Sequence, residues 1–218
     1  MAERLSNHCW ATPKCGISTA EQYFKNVNRD IDYKFIMVRN PYSRMVSFYI
    51  NKILVQANPP WNISYPSEPP FIPQFNWLET EPVIPHLMRG DTGCSFEEFI
   101  YLVDEIDVYR AERHLKPQHM KTENIVFDKV VRLENFKEDI VDVCNILNFD
   151  YETVIVRHNF FKRNDQLEGY MGDKKTKWFR NNGVPPKWKE FYNEDTKNVI
   201  YKKYEQDFKI FGYDYEIN

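Results

Sequence analysis

The chain has 218 residues, 42% hydrophobic and 28% charged, enough for one domain with a sizeable core and not the composition of a disordered or fibrous protein. A formal net charge of −3 gives no electrostatic ground for a nucleic-acid coat or an anionic membrane surface. No apolar leader and no run of about 18 apolar residues occurs, which predicts a soluble, cytoplasmic chain without a membrane span.

The elements follow in chain order. Residues 7–12, NHCWAT, are short and apolar-rich and run into Pro13-Lys14-Cys15-Gly16, after which Ser18 to about Val27 carries a helical pattern. The run YKFIMVR, 33–39, is a buried, parallel strand by its continuous apolar character. Pro41 suits the first turn of a helix, and apolar residues then recur near 42, 45, 49 and 53. Two successive strand–helix units predict an α/β fold, a central parallel sheet flanked by helices, over a single domain spanning residues 1–218.

Residues 56–94 change character. Proline is dense there and blocks both helix and ladder, while Trp61, Tyr65, Phe71, Phe75 and Trp77 are interleaved with it, as in a packed lid or insertion. Ser95-x-x-Glu98 is a capping box that opens a helix with Phe96, Phe99, Ile100 and Val103 inward. Residues 125–135, IVFDKVVRLEN, form a strand candidate followed by helical spacing through Leu147. Ile200, Tyr204, Phe208 and Phe211 line one face of a last helix that Gly212 ends.

Charge is segregated. Residues 1–57 hold 8 Lys/Arg against 4 Asp/Glu and residues 157–189 hold 9 against 3, whereas residues 79–112 hold 2 against 9. If the two basic stretches meet, they make one cationic site in a mildly acidic protein. The four cysteines, at 9, 15, 94 and 144, have neither zinc-ligand nor disulfide-scaffold spacing, so no metal is expected.

The chemistry concentrates in the first two units. A loop between a buried strand and a helix offers backbone N–H groups and a helix N-terminus to an anion. Gly16 lets the backbone approach closely, Lys14 supplies a mobile cation, and Ser18 and Thr19 supply hydroxyls. The spacing is not that of a Walker loop, and no strand-end carboxylate for Mg²⁺ is visible, which argues against a kinase. In the second unit Arg39 ends a strand and Ser47 lies about two helical turns on, a guanidinium and a hydroxyl for a second phosphate. Two phosphate sites on one sheet edge imply a ligand with phosphates at both ends, such as a 3′,5′-bisphosphorylated nucleoside.

TPKCGIST resembles the 5′-phosphosulfate loop of the sulfotransferases, and VRNPYSRMVSFYINK resembles their 3′-phosphate motif. HLKPQ (114–118), FDKVVRLENFKEDI and IYKKYEQDFKIFGYD resemble, in order, three later stretches of the carbohydrate sulfotransferases, here without their membrane anchor. The resemblance implies a P-loop-like fold and 3′-phosphoadenosine 5′-phosphosulfate (PAPS) as donor, with an acceptor hydroxyl, on a saccharide by preference. It places Lys14 at the phosphosulfate bridge, the stretch Cys15, Gly16, Ile17, Ser18 and Thr19 around the 5′-phosphate, and Arg39 and Ser47 on the 3′-phosphate. Ile17 stands where the family often has a hydroxyl, so a nucleotide-binding module that has lost catalysis is the rival reading. The general base is the open position. His114 leads on its place in the family-like stretch, with His119 and Glu21 as alternatives.

Overall fold

The computed structural model describes residues 1–25, 27, 29–54, 93–111, 113–150, 163–185 and 187–216. The proline-rich segment, His86 and His158 lie outside the described residues. Four short strands, β1 (Glu3–Arg4), β2 (Cys9–Ala11), β3 (Phe35–Val38) and β4 (Lys129–Arg132), form one sheet in the order β1-β2-β3-β4. β1 pairs antiparallel with β2, while β2, β3 and β4 run parallel, with Ala11 opposite Met37 and Val38 opposite Arg132.

The alternation of side chains on these strands sorts the core into two faces. Cys9, Ala11, Phe35, Met37 and Val131 point to one side, where they meet α1 (Ile17–Phe24) through Ala20 and Phe24. On the same side lies α4 (Phe136–Leu147), through Phe136, Ile140, Val143, Cys144 and Leu147. Trp10, Ile36 and Val38 point to the other side, against Phe211 at the end of α6 (Glu194–Phe211). All of Phe35–Val38 is buried, so β3 needs apolar residues at every position, and that is the run visible in the sequence.

A second, larger core lies beside the sheet between α2 (Pro41–Phe48), α3 (Phe96–Glu105), α5 (Thr176–Asn182) and α6. It takes up much of the chain's aromatic content. The Phe96 ring centre is 5.4 Å from both Tyr49 and Phe191 and 5.0 Å from Tyr192. Each such ring, fully buried, stabilises the fold by roughly 1.5–3 kcal/mol before entropy is counted.

The helix boundaries follow from local chemistry. Asn40 caps α2, its Oδ1 accepting from the N–H groups of Tyr42 and Ser43, with Pro41 in the first turn. Ser95 and Glu98 make the capping box of α3, and Asn193 and Thr196 make another for α6. Gly212 closes α6 at φ +67°, where a Cβ would come within 3.2 Å of the Arg132 guanidinium that donates to the Phe211 carbonyl.

Three features differ from the sequence reading. The helix that begins at Pro41 widens into a π turn over Tyr49–Leu54, where the Asn51 side-chain amide donates to the Ser47 carbonyl and competes with the regular backbone bond. The basic stretch 157–189, for which the sequence reading gives no element, is partly helical. It contains α5, which buries Phe179, and the Lys175 that precedes α5 pairs with Glu98 of α3. β1 is a two-residue polar strand that no hydrophobic pattern announces.

Candidate active site

The first loop is built by a turn. Thr12 accepts the Cys15 N–H at 3.0 Å, with Pro13 and Lys14 at the two central positions. Lys14 has φ +69°, the left-handed value that the second central residue of a type II turn requires and that usually falls to glycine. Gly16 follows at φ +79° as the N-cap of α1, and a Cβ there would lie 2.8 Å from the Met37 side chain. Two left-handed residues so close together curl the backbone into a concave nest just ahead of a helix N-terminus. The first turn of α1 carries no acidic residue. Ser18 is exposed there, while Thr19 is buried and Ile17 packs against the core below the sheet. The loop therefore presents backbone amides, Ser18 and the half-buried Lys14, with Thr19 facing inward.

The second loop follows β3. Arg39 Nε donates to Ser43 Oγ at 2.9 Å, and its Nη1 donates to the Lys14 carbonyl at 3.4 Å. The two loops thus touch, as the parallel register of β2 and β3 demands. Burial holds the Arg39 pKa below its ordinary value, with Glu134 opposing that effect and Arg163 adding to it. Glu134 lies 4.0 Å from Arg39 Nε and accepts from the Asn40 N–H and the Ser43 hydroxyl. Its other oxygen accepts from the Tyr213 hydroxyl. Ser47, two turns into α2, is buried, with 7% of its surface exposed.

Arg44, on the same helix, is fully buried. Its Nε donates to the Pro13 carbonyl at 3.3 Å, and its Nη2 donates to the carbonyls of His114 and Lys116 at 2.8 and 2.7 Å. One guanidinium thus fastens the Lys14 loop to the turn that carries His114. Its Nη1 finds no hydrogen-bond partner among the described residues.

The three candidates for a proton acceptor separate. His114 is half-buried, with its ring 6.2 Å from Phe48. His119 donates through Nδ1 to Asp207 Oδ1 at 2.7 Å, and the same oxygen accepts the His119 N–H. Glu21 is on the exposed side of α1. His8 is structural: its Nε2 accepts from the Arg29 N–H, which leaves Nδ1 to donate to the Tyr33 carbonyl at 2.8 Å.

A strand–loop–helix turn, a strand-end arginine that touches it and a buried arginine behind both thus converge at one end of the sheet. The family model described as "Sulfotransferase family" matches residues 9–214. The chain belongs to the sulfotransferase family. Comparison with curated proteins returns no match, and neither does comparison with solved structures. Among the described residues of this sulfotransferase, no helix is long and apolar enough to cross a membrane, and no group of three or more His, Cys, Asp or Glu could hold a metal ion.

Sequence reasoning gave no role to Arg44, Glu134, Asp207 or Arg163. The first three stand inside the motif-like stretches, and that recurrence was the available signal. Arg163 came only with the bulk count of basic residues.

Proposed function

We propose that this sulfotransferase takes the sulfuryl group of PAPS and passes it to a hydroxyl, with a saccharide as the favoured acceptor. The observation that carries the proposal is the contact of Arg39 with the Lys14 carbonyl. It brings a nest suited to a 5′-phosphate next to a guanidinium suited to a 3′-phosphate, the two groups that a bisphosphorylated nucleoside needs. The residues fit that donor. Gly16 and Ile17 lead backbone amides into the nest, Cys15 shapes the turn through its N–H to the Thr12 carbonyl, Ser18 adds a hydroxyl, and Thr19 supports the turn from beneath. Arg39 and Ser47 hold the far phosphate, with Glu134 and Ser43 fixing the arginine until a ligand arrives.

PAPS supplies an activated sulfuryl group on a phosphate leaving group. Lys14 and the first-turn amides of α1 neutralise the charge that grows on that leaving oxygen, and no metal is assigned to this task. His114 accepts the acceptor hydroxyl proton as the new S–O bond forms opposite the breaking one. The support for His114 over His119 is connectivity. Arg44 holds its carbonyl beside that of Pro13, at the base of the Lys14 loop, whereas His119 is tied to α6 through Asp207. Glu21 is the third choice because it faces solvent. The saccharide preference rests on the HLKPQ and terminal DFKIFGY stretches, which meet through Asp207 in the folded chain.

The test is calorimetric titration with adenosine 3′,5′-bisphosphate and with ADP. Wild type should prefer the bisphosphate, and Arg39→Ala should lose that preference by about 10-fold or more, the scale of a lost charge-assisted pair. In the same series His114→Ala should bind the bisphosphate normally and fail to turn over sulfuryl transfer to a saccharide acceptor. Equal binding of both nucleotides by wild type would overturn the donor assignment. Turnover in His114→Ala would move the base to His119 or Glu21.

A further inference from the structure

Gln118 is fully buried, and every hydrogen-bonding group of its carboxamide is used where the sheet ends. Its Oε1 accepts from the Arg39 N–H at 2.9 Å, from Cys15 Sγ at 2.9 Å and from Thr12 Oγ1 at 3.3 Å. Its Nε2 donates to the Arg39 carbonyl at 2.8 Å. The side chain therefore answers both backbone groups of Arg39 as a neighbouring strand would, one residue beyond the end of β3. The same oxygen holds Thr12 and Cys15, on either side of Pro13-Lys14. From the other direction, the Gln118 N–H donates to Asp207 Oδ2 at 2.8 Å, so the buried carboxylate of α6 fixes the peptide that carries the carboxamide.

From this juxtaposition we propose that Gln118 is the positioning residue that sets the spacing between the Lys14 nest and Arg39. It touches no reacting atom. Its effect is to hold two phosphate sites at one separation, so that a ligand with phosphates at both ends meets them together. The residue type follows from the contacts. A glutamate would lose the donor to the Arg39 carbonyl and bring a buried negative charge beside two phosphates, and an asparagine is one methylene too short to span both loops.

The inference rests on the donor reading above, and the experiment separates the two. Dissociation constants for adenosine 3′,5′-bisphosphate and ADP are measured by NMR titration, which reads weak binding, for wild type, Gln118→Met and Thr12→Val. In Gln118→Met the ratio of the two constants should fall by about 10-fold while ADP binding changes by less than about threefold, because a misplaced second site harms only the ligand that needs both. Thr12→Val removes one of the three donors to Oε1 and should move the ratio in the same direction by a smaller factor. It carries the test if Gln118→Met does not fold. Parallel loss of both ligands would make Gln118 a plain structural residue and overturn the proposal, as would an unchanged ratio in both variants. Absence of any bisphosphate preference in wild type is a different failure. It would bring down the donor reading, and this inference with it.

Discussion

Lys14 occupies a backbone conformation that a glycine would adopt with less strain. A non-glycine residue in the left-handed region costs about 1–2 kcal/mol, and such strain is kept where the side chain is needed. Lys14→Gly should therefore fold with stability within about 1 kcal/mol of wild type, since relief of the turn is offset by a more flexible unfolded chain. Turnover should fall by about 100-fold or more if the ammonium stabilises the leaving phosphate. Lys14→Ala should be equally inactive and, because it keeps both the strain and the stiffer unfolded chain, should lie within about 1 kcal/mol of Lys14→Gly. Urea denaturation and a turnover assay on the pair check both statements, and a Lys14→Gly protein with wild-type turnover would reduce the loop to an ordinary turn. The chemistry of this loop was legible in the sequence because Pro13, Lys14, Gly16 and Ser18 are neighbours. Glu134 and Asp207 were not, because the N–H groups they hold lie 94 and 89 positions away. Their place inside the family-like stretches is the one local mark on either carboxylate, and it does not say what they hold.

Among the elements, α2 does the most for the site. Asn40 caps it, Ser43 holds Arg39, Arg44 ties down two loops, and Ser47 is the hydroxyl we propose for the far phosphate. Arg44 also lies 6.0 Å from the centre of the Tyr204 ring, so the helix is fastened to α6 as well. A lysine cannot reach three carbonyls in two directions from one ammonium. Arg44→Lys should cost about 2–4 kcal/mol and lower Tm by roughly 5–15 °C, measured by scanning calorimetry. An unchanged Tm would mean that the fork geometry is dispensable. The start of this helix was legible, as were the capping box at Ser95 and the glycine stop at 212, because caps and stops are written within four residues. The π turn, α5 and the non-helical Tyr204 were not. Tyr204 breaks the regular geometry of α6 at φ −119°, and its hydroxyl donates to the Leu115 carbonyl at 2.6 Å. That carbonyl comes from a loop 89 positions earlier. Period-based reading sees the apolar face of such a helix and is blind to a bend set by a distant partner.

At the scale of the whole molecule, the buried thiols make a prediction about alkaline stability. All four cysteines are free and buried. Burial pushes the Cys94 thiol up to about 12 and the Cys144 thiol up to about 11, and it raises Cys9 and Cys15 as well. An unfolded thiol titrates near 8.5. Below that pH both states keep their protons, and the thiols leave stability unchanged. Above it the unfolded chain releases protons that the folded chain retains, so each thiol lowers stability by about 1.4 kcal/mol per pH unit. The thiols act in the same direction, against a total stability of about 5–15 kcal/mol, so the fold should weaken progressively as pH rises above about 9. The buried hydroxyls of Tyr49, Tyr192 and Tyr204, raised by burial too, steepen the fall once the unfolded tyrosines titrate. Urea midpoints at pH 7, 8, 9 and 10 should be flat at first and then drop, and Cys144→Ala should show a shallower slope by about 1.4 kcal/mol per unit. A midpoint constant to pH 10, or a thiol that reacts rapidly with Ellman's reagent in the native protein, would contradict this. The site shares the dependence. Cys15 contributes to Gln118 as a neutral S–H donor, so the proton that the unfolded chain loses is one that holds the Lys14 loop in place.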